Sequence, residues 1–175
     1  HNCVIEDNTS IGEGCLIESN VTIQQGSVIG DNCIISPGAV IGSEGFGNAR
    51  NNKKWSSIAH LGNVSIGNNV SIGANTTIDR GSISNTEIHD GVKIDNLIHI
   101  AHNVVIGEDT AIAAKTGIAG STKIGKRCMI GGAVGIVGHL NIADDVVINA
   151  TSTVNRNISK PGIYTGFMPI MLHSE

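Results

Sequence analysis

Two histidines and one glycine are spaced so that they could share a catalytic edge of the molecule. An imidazole that titrates near neutral pH can take a proton from an amine or hydroxyl attacking an acyl group, which suits His102 to the role of general base. Gly120 and His139 follow it in the sequence, and the Gly120 N–H could hold the oxyanion of such an attack. Asp95, seven residues before His102, could orient the ring, and an ordinary surface histidine is the alternative for His102.

A six-residue repeat explains why the spacing of these residues is informative. Isoleucine recurs at every sixth position from Ile5 to Ile41, and again in one unbroken phase from Ile88 to Val154. This period is not helical, but it fits short strands separated by turns rich in Gly, Asn and Asp. Three such units close one coil, and successive coils stack about 4.8 Å apart. The pattern predicts an all-β parallel β-helix over residues 1–160.

The repeat also aligns the candidate residues. Gly120 follows His102 by three repeat units, which is one coil, and His139 follows His102 by two coils and one residue. Because equivalent positions in successive coils stack on one another, we expect His102, Gly120 and His139 on a common edge.

Zinc binding is a second chemistry that the histidines allow. His99, His102 and His139 form a set similar to the ligands of a hexapeptide-repeat carbonic anhydrase. A tetrahedral zinc site needs three convergent ligands, whereas His99 and His102 are expected to diverge across a corner. We therefore predict no metal and no cofactor.

The first interruption of the repeat lies at about residues 43–63. It contains Phe46, the single Trp55 and three of the eleven basic residues. Insertions into repeat proteins project from one face and often wall a binding site, and a solvated excursion is the alternative. We expect Phe46, together with Asn96, to contact substrate.

The second interruption is small and lies between Ile78 and Ile88. These isoleucines are ten residues apart instead of the twelve that two repeat units would give. Asp79 and Arg80 follow Ile78, and we expect an ion pair between them at the corner.

Composition excludes several classes of protein. The net charge is −4 and only four side chains are aromatic, so the chain lacks the basic field and stacking surfaces of a nucleic-acid binder. No run of about 18 apolar residues could span a membrane, and no export signal is recognisable. The four cysteines form no CxxC pair and are expected to be reduced thiols. These features favour a cytoplasmic protein.

Several longer strings resemble one family in order and spacing. GSEGFGNARNN, IGANTTIDRG, IDNLIHIAHNVVIG, AGSTKIG, CMIGGAVGIVGH and PGIYTG are similar to the UDP-3-O-acylglucosamine N-acyltransferases of lipid A synthesis, from Ile5 to about Gly166. The resemblance implies a left-handed β-helix and a homotrimer with active sites between neighbouring subunits. Periodicity alone does not give the hand.

The resemblance also implies a reaction and a role for each candidate residue. His102, within the IAHN string, would deprotonate the glucosamine 2-amine of UDP-3-O-acylglucosamine as it attacks a 3-hydroxyacyl thioester on acyl carrier protein. The Gly120 amide would stabilise the oxyanion and Asp95 would orient His102. His139 would assist substrate binding or the transition state.

The family pattern is incomplete at both ends of these 175 residues. We expect no uridine-recognition domain, such as begins a full member, within these residues, and we expect residues 161–175 to be a tail without the family's helical extension. Two alternatives stay open: an acetyl-CoA-dependent sugar O- or N-acetyltransferase of the same fold, and a non-catalytic trimeric fragment.

Overall fold

Short strands alternate with tight turns through residues 1–166, the part of the chain that the computed structural model describes. Each regular strand ends on the inward isoleucine of the repeat, and the next residues turn the chain through a corner. Many corner residues have positive φ, and Asn is the most frequent non-glycine residue with positive φ, as at Asn8, Asn20 and Asn32. Asn adopts this left-handed conformation more readily than most other residues do, so its recurrence in the sequence marks the corners.

Three parallel sheets form the faces of the coil. The first contains β1 (Val4–Ile5), β4 (Thr22–Ile23), β7 (Val40–Ser43), β12 (Thr77–Asp79), β15 (His99–Ile100), β18 (Gly117–Ile118), β21 (Gly135–Ile136) and β24 (Thr153–Val154). The second contains β2 (Ser10–Ile11), β5 (Val28–Ile29), β10 (Val64–Ile66), β13 (Thr86–Ile88), β16 (Val105–Ile106), β19 (Lys123–Ile124) and β22 (Asn141–Ile142). The third contains β3 (Leu16–Ile17), β6 (Ile34–Ile35), β11 (Ser71–Ile72), β14 (Lys93–Ile94), β17 (Ala111–Ile112), β20 (Met129–Ile130), β23 (Val146–Ile148) and β25 (Gly162–Tyr164). The predicted all-β parallel β-helix is thereby confirmed.

The core is a set of stacked aliphatic columns. Ile100 pairs with Ile118 in the next coil, and Ile118 pairs with Ile136. These three side chains are buried. The register between coils is therefore fixed by burial, because a shift of one residue would turn each isoleucine out to water.

The two interruptions of the repeat are both insertions. Ser65 pairs with Val28, and the segment added between them contains an antiparallel hairpin of β8 (Asn48–Asn51) and β9 (Lys54–Ser57). At the second interruption Thr77 pairs with His99. This coil is four residues longer than a regular one, so the expectation of two missing residues was wrong. Ile78 and Ile88 lie in consecutive strands, β12 and β13. They are therefore one repeat unit apart, not two, and their spacing of ten residues exceeds the regular six by four.

Strand pairing continues past the expected boundary at residue 160. Tyr164 in β25 pairs with Ile148 in β23. The coil between them is two residues shorter than a regular one, which removes the six-residue signal. The remainder of the predicted tail, from residue 167, lies outside the described residues. Residues 1–166 contain no helix with the length and hydropathy that a membrane crossing requires.

All four cysteines are free thiols. Burial raises the pKa of the Cys33 and Cys128 thiols. Both side chains pack in the aliphatic core and behave there as small apolar groups.

Candidate active site

One edge of the β-helix, between the first and second sheets, brings His102 and Gly120 together. His102 lies in the turn after β15, and Gly120 lies in the turn after β18. His99 pairs with Gly117 across these strands, and the backbone N–H of Ser121 donates to the carbonyl of His102 at 2.9 Å. The sequence separation of three repeat units thus becomes a vertical stack of adjacent corners.

The imidazole of His102 occupies space that a side chain at position 120 would need. A Cβ built on Gly120 would lie 2.7 Å from both Cε1 and Nε2 of His102. Cβ atoms do not approach other heavy atoms so closely, so only glycine at position 120 leaves room for the ring in this orientation. The half-buried ring therefore lies directly beside the backbone of the next coil.

The backbone N–H of Gly120 is open, which means that no side chain of the described residues accepts a hydrogen bond from it. At the edge between the second and third sheets, the N–H at the same repeat position is capped by a side chain of the next coil. Asp31 Oδ1 accepts from the Glu13 N–H, and Asp144 Oδ1 accepts from the Lys126 N–H, both at 2.8 Å. The corresponding residue above Gly120 is Gly138, which has no side chain to do so. Within residues 1–166 no group accepts a hydrogen bond from the Gly120 amide.

A second histidine, His60, packs against His102 from the inserted segment. The two ring centroids are 5.3 Å apart, with an interplanar angle of 64°. His60 is 5% exposed, and neither of its ring nitrogens has a hydrogen-bond partner among the described residues. Gly45 and Gly47 cover it so closely that a Cβ on either would come within 3.0 Å of the ring. The insertion therefore forms a wall on one side of His102.

A buried carboxylate, Asp79, lies within the same group of histidines. Its Oδ1 accepts a hydrogen bond from Ser43 Oγ at 2.8 Å, and its Oδ2 lies 3.6 Å from His99 Nε2. Burial raises the pKa of Asp79, while the Ser43 hydrogen bond and the nearby His99, His102 and His60 act in the opposite direction.

Arg80 does not form the expected ion pair with Asp79. Its guanidinium instead donates to the backbone carbonyl of Gln25 and lies 3.5 Å from Asn63 Oδ1. The reason is that neighbouring residues of an extended segment point to opposite sides, so the two side chains separate.

Phe46 lines a cavity of about 310 Å³ beside this group, together with Asp79 and His99. Phe46 is 87% exposed, so its side chain is accessible from solvent. A larger groove, of about 490 Å³, lies on the third sheet and contains Ala113 and Met129. His102 lines neither space, but the smaller cavity contains His99 and Asp79, which lie near His102.

Asp95 does not orient His102 within the chain. It lies at the edge between the third and first sheets, where its two carboxylate oxygens accept hydrogen bonds from the N–H groups of Asn96 and Ala114, at 2.8 and 3.1 Å. Asn96 Oδ1 in turn caps the Ala74 N–H at 2.6 Å. Seven residues exceed one repeat unit, so Asp95 and Asn96 belong to the previous corner, and both serve there as caps.

His139 lies on the same edge as His102, two coils further along. Its backbone N–H donates to the carbonyl of Gly120 at 3.0 Å. His99 faces Asp79 and Thr77, and within residues 1–166 no three potential ligands form a group that could hold a metal ion.

Asn103 contacts the Nδ1 atom of the His102 ring. Its Oδ1 lies 3.0 Å from that nitrogen. Sequence reasoning missed this contact, although the IAHN string contained it, because a carboxylate is the more usual partner of a catalytic histidine. It also missed His60 and Asp79, which an insertion and strand pairing bring from distant parts of the chain.

The sequence matches known repeat families over more than half of its length. The bacterial transferase hexapeptide (six repeats) family matches residues 8–43 and 85–120, and the hexapeptide repeat of succinyl-transferase matches residues 121–156. Residues 8–43 and 85–156 are therefore hexapeptide repeats of the kind found in bacterial transferases.

Two curated relatives are more specific. The chain is 73% identical over 134 residues to UDP-3-O-acylglucosamine N-acyltransferase of Vesicomyosocius okutanii, covering 76% of this chain and 40% of that protein. It is 71% identical to the enzyme of the same name from Ruthia magnifica, with the same coverage. The chain thus spans about 40% of the length of the curated relatives it matches.

Solved structures show the same architecture. UDP-N-acetylglucosamine acyltransferase from Campylobacter jejuni superposes with a TM-score of 0.76 at 22% identity, covering 94% of this chain and 70% of that one. The Francisella novicida enzyme of the same name gives a TM-score of 0.77 at 27% identity, covering 87% and 54%. These likenesses confirm the left-handed β-helix.

Proposed function

We propose that this chain carries the catalytic centre of an N-acyltransferase that moves a 3-hydroxyacyl group from acyl carrier protein to the 2-amine of UDP-3-O-acylglucosamine. The observation that carries the proposal is the juxtaposition of the His102 imidazole with the open amide of Gly120 on one edge. A general base and an oxyanion donor are the two groups that acyl transfer to an amine requires. The high identity to two relatives of that name supports this substrate class.

The geometry suggests the following order of events. His102 Nε2 takes a proton from the 2-amine as the amine nitrogen forms a bond to the thioester carbonyl carbon. The carbonyl oxygen becomes an oxyanion and accepts a hydrogen bond from the Gly120 N–H. When the tetrahedral intermediate collapses, the C–S bond breaks and His102 returns its proton to the departing thiolate of the carrier. Each of these steps uses only groups of the chain and its two substrates.

An uninterrupted strip beside the edge is suited to the acyl chain. On the outer face of the first sheet, Gly117 and Gly135 follow His99 in successive coils. A Cβ on either glycine would meet nothing within 4 Å. The strip therefore has the open shape that an extended hydrocarbon chain needs. We assign substrate binding or assistance of the transition state to His139, on the adjoining edge.

The proposal includes a homotrimer, which the family resemblance implies. Four large apolar side chains are exposed on the third sheet: Leu16, Ile34, Met129 and Ile163. Burying such a surface against another copy would remove apolar area from water. We also place the protein in the cytoplasm, where its four thiols would stay reduced.

The donor is the feature that separates this proposal from its alternative. We would offer UDP-3-O-acylglucosamine to the full-length polypeptide with either 3-hydroxyacyl carrier protein or acetyl-CoA, and follow the acylated sugar by mass spectrometry. Transfer from the carrier protein is expected. Transfer from acetyl-CoA alone would favour a sugar acetyltransferase, and absence of transfer from either donor would contradict the proposal and favour a non-catalytic role.

A further inference from the structure

Backbone groups of the second insertion hold the Asn103 side chain in a single orientation. The N–H of Ser82 donates to Asn103 Oδ1 at 3.0 Å, and Asn103 Nδ2 donates to the carbonyl of Ser84 at 2.7 Å. Exchanging the amide oxygen and nitrogen would set the NH₂ group against the Ser82 N–H and the oxygen against the Ser84 carbonyl. Backbone groups cannot reverse their roles, so the identity of Oδ1 as acceptor is settled.

The amide orientation determines the proton on His102. Asn103 Oδ1 lies 3.0 Å from His102 Nδ1, and because Oδ1 can only accept, Nδ1 must carry hydrogen. In the neutral ring the lone pair is then on Nε2. Nε2 is one of the two ring atoms that lie against Gly120, beside the open amide.

We propose that Asn103 is a positioning residue that locks His102 in the Nδ1–H tautomer and so presents Nε2 as the proton acceptor. The inference deepens the proposed function and rests on it for the role of Nε2. The tautomer itself follows from the hydrogen bonds alone. The second insertion contributes to this arrangement, because Ser82 and Ser84 lie within it and bind the Asn103 side chain.

Other contacts hold Asn103 in place from the backbone side. Its N–H donates to Oγ1 of the buried Thr86 at 2.8 Å, and its φ is 60°. His60 and Asp79 also lie near His102, but among the described residues neither forms a hydrogen bond with the ring. Asn103 is therefore the group that selects the tautomer.

The test is a tautomer measurement by two-bond ¹H–¹⁵N correlation NMR on ¹⁵N-histidine-labelled protein without substrate. It is made about two pH units above the ordinary histidine pKa of about 6.5, where imidazoles are neutral. The parent should show the Nδ1–H pattern for His102, and this result requires no variant to fold. An Nε2–H pattern in the parent would overturn the inference.

One variant of Asn103 tests whether its side chain selects the tautomer of His102. Asn103→Leu keeps the side-chain shape, and Leu97 shows that leucine is accommodated at a positive-φ corner. It should lose the Nδ1–H preference, because leucine offers no acceptor to the His102 ring. Persistence of Nδ1–H in Asn103→Leu would overturn the inference. Asn69→Leu, at another corner with φ of 58°, is the matched control and should leave His102 unchanged.

Kinetics separate positioning from a structural role. Asn103→Leu should lower kcat about tenfold, a part of the 10²- to 10⁴-fold that a general base typically supplies, with the acceptor KM unchanged. Equal rates for the leucine variant and the parent would contradict the inference. Because the tautomer is read without substrate, failure of the proposed reaction and failure of the lock are distinguishable.

Discussion

The imidazole of His102 lies so close to Gly120 that a Cβ at position 120 would be 2.7 Å from His102 Nε2. The two residues are one coil apart in the sequence and come into contact because the strands that precede them pair in adjacent coils. The repeat itself thereby places an imidazole beside a backbone N–H that has no hydrogen-bond acceptor among residues 1–166. The stacked isoleucines of the core thus fix the alignment of the proposed chemical groups.

Adding one methyl group at position 120 should disturb the base without unfolding the chain. Gly120→Ala would push a carbon against Cε1 and Nε2 of His102, so the ring must rotate away. We expect kcat to fall by about tenfold or more, as general-base geometry is lost. Gly132→Ala is the matched control, because Gly132 has the same repeat position at another corner and an added Cβ has its nearest neighbour at 3.3 Å. Equal losses in both variants would argue against a special role for the contact.

A side chain that accepts a hydrogen bond from the Gly120 N–H should prevent that N–H from binding an oxyanion. Gly138→Asn would introduce such a side chain in the next coil, as Asn68 Oδ1 accepts from the Asp31 N–H at 2.8 Å. Loss of an oxyanion donor typically costs about 10²- to 10³-fold in kcat, and we expect a loss of this order.

Gly138→Ala is the control for the introduced cap. Both variants bring a Cβ to 2.9 Å from the Gly120 carbonyl oxygen, but alanine adds no hydrogen-bond acceptor and should be much less affected. Comparable rates for the two variants, measured with circular dichroism as a check of folding, would refute the open-amide account.

Chain-length selectivity should depend on the glycine strip of the first sheet. Gly135→Leu would place a branched side chain where an added Cβ now meets open space. We expect long-chain donors to be slowed while short-chain donors keep their rate, since only long chains would reach position 135. Turnover with a series of acyl donors measures this. A uniform change across all chain lengths would place the acyl chain elsewhere.

The buried carboxylate of Asp79 should make stability depend on pH. Burial raises its pKa in the folded chain, so between the unfolded and folded values the native state binds the proton more tightly. Stability contributed by this group is therefore present at acid pH and is lost as pH rises through that window. Asp79→Asn removes the charge and keeps an acceptor for Ser43. Denaturant unfolding should show the variant more stable than the parent near neutrality, with the difference shrinking toward pH about 4; a difference independent of pH would contradict this.

The architecture could be predicted from the sequence because the buried isoleucine recurs at a fixed period. An isoleucine at every sixth position is explained by stacked coils of three strands, and the pairing of Ile100 with Ile118 follows from that arrangement. The same arithmetic placed His102 and Gly120 on a common edge. It failed where the period changed, at the four-residue insertion before β13 and at the shortened coil ending in Tyr164.

The surroundings of His102 were less accessible to sequence reasoning. Asp95 was expected to orient the ring because carboxylates often do, yet a count of seven residues crosses a corner. His60 lies in the first insertion, and Asp79 pairs with Ser43 across that insertion. Because the insertion interrupts the six-residue repeat, the period could not predict the position of either side chain. Asn103 was adjacent in sequence, but its role depends on backbone groups of the second insertion, whose approach only the folded chain reveals.

The central claim is that His102 is the base of an acyl transfer. The most direct measurement is the kcat for transfer from 3-hydroxyacyl carrier protein to UDP-3-O-acylglucosamine by the parent, His102→Ala and His89→Ala. His89 is a half-buried turn histidine whose ring lies 3.4 Å from Glu87 Oε2, outside the group around His102. The account predicts a loss of about 10²- to 10⁴-fold for His102→Ala and a near-parental rate for His89→Ala. A folded His102→Ala variant that transfers acyl groups at the parental rate would contradict it.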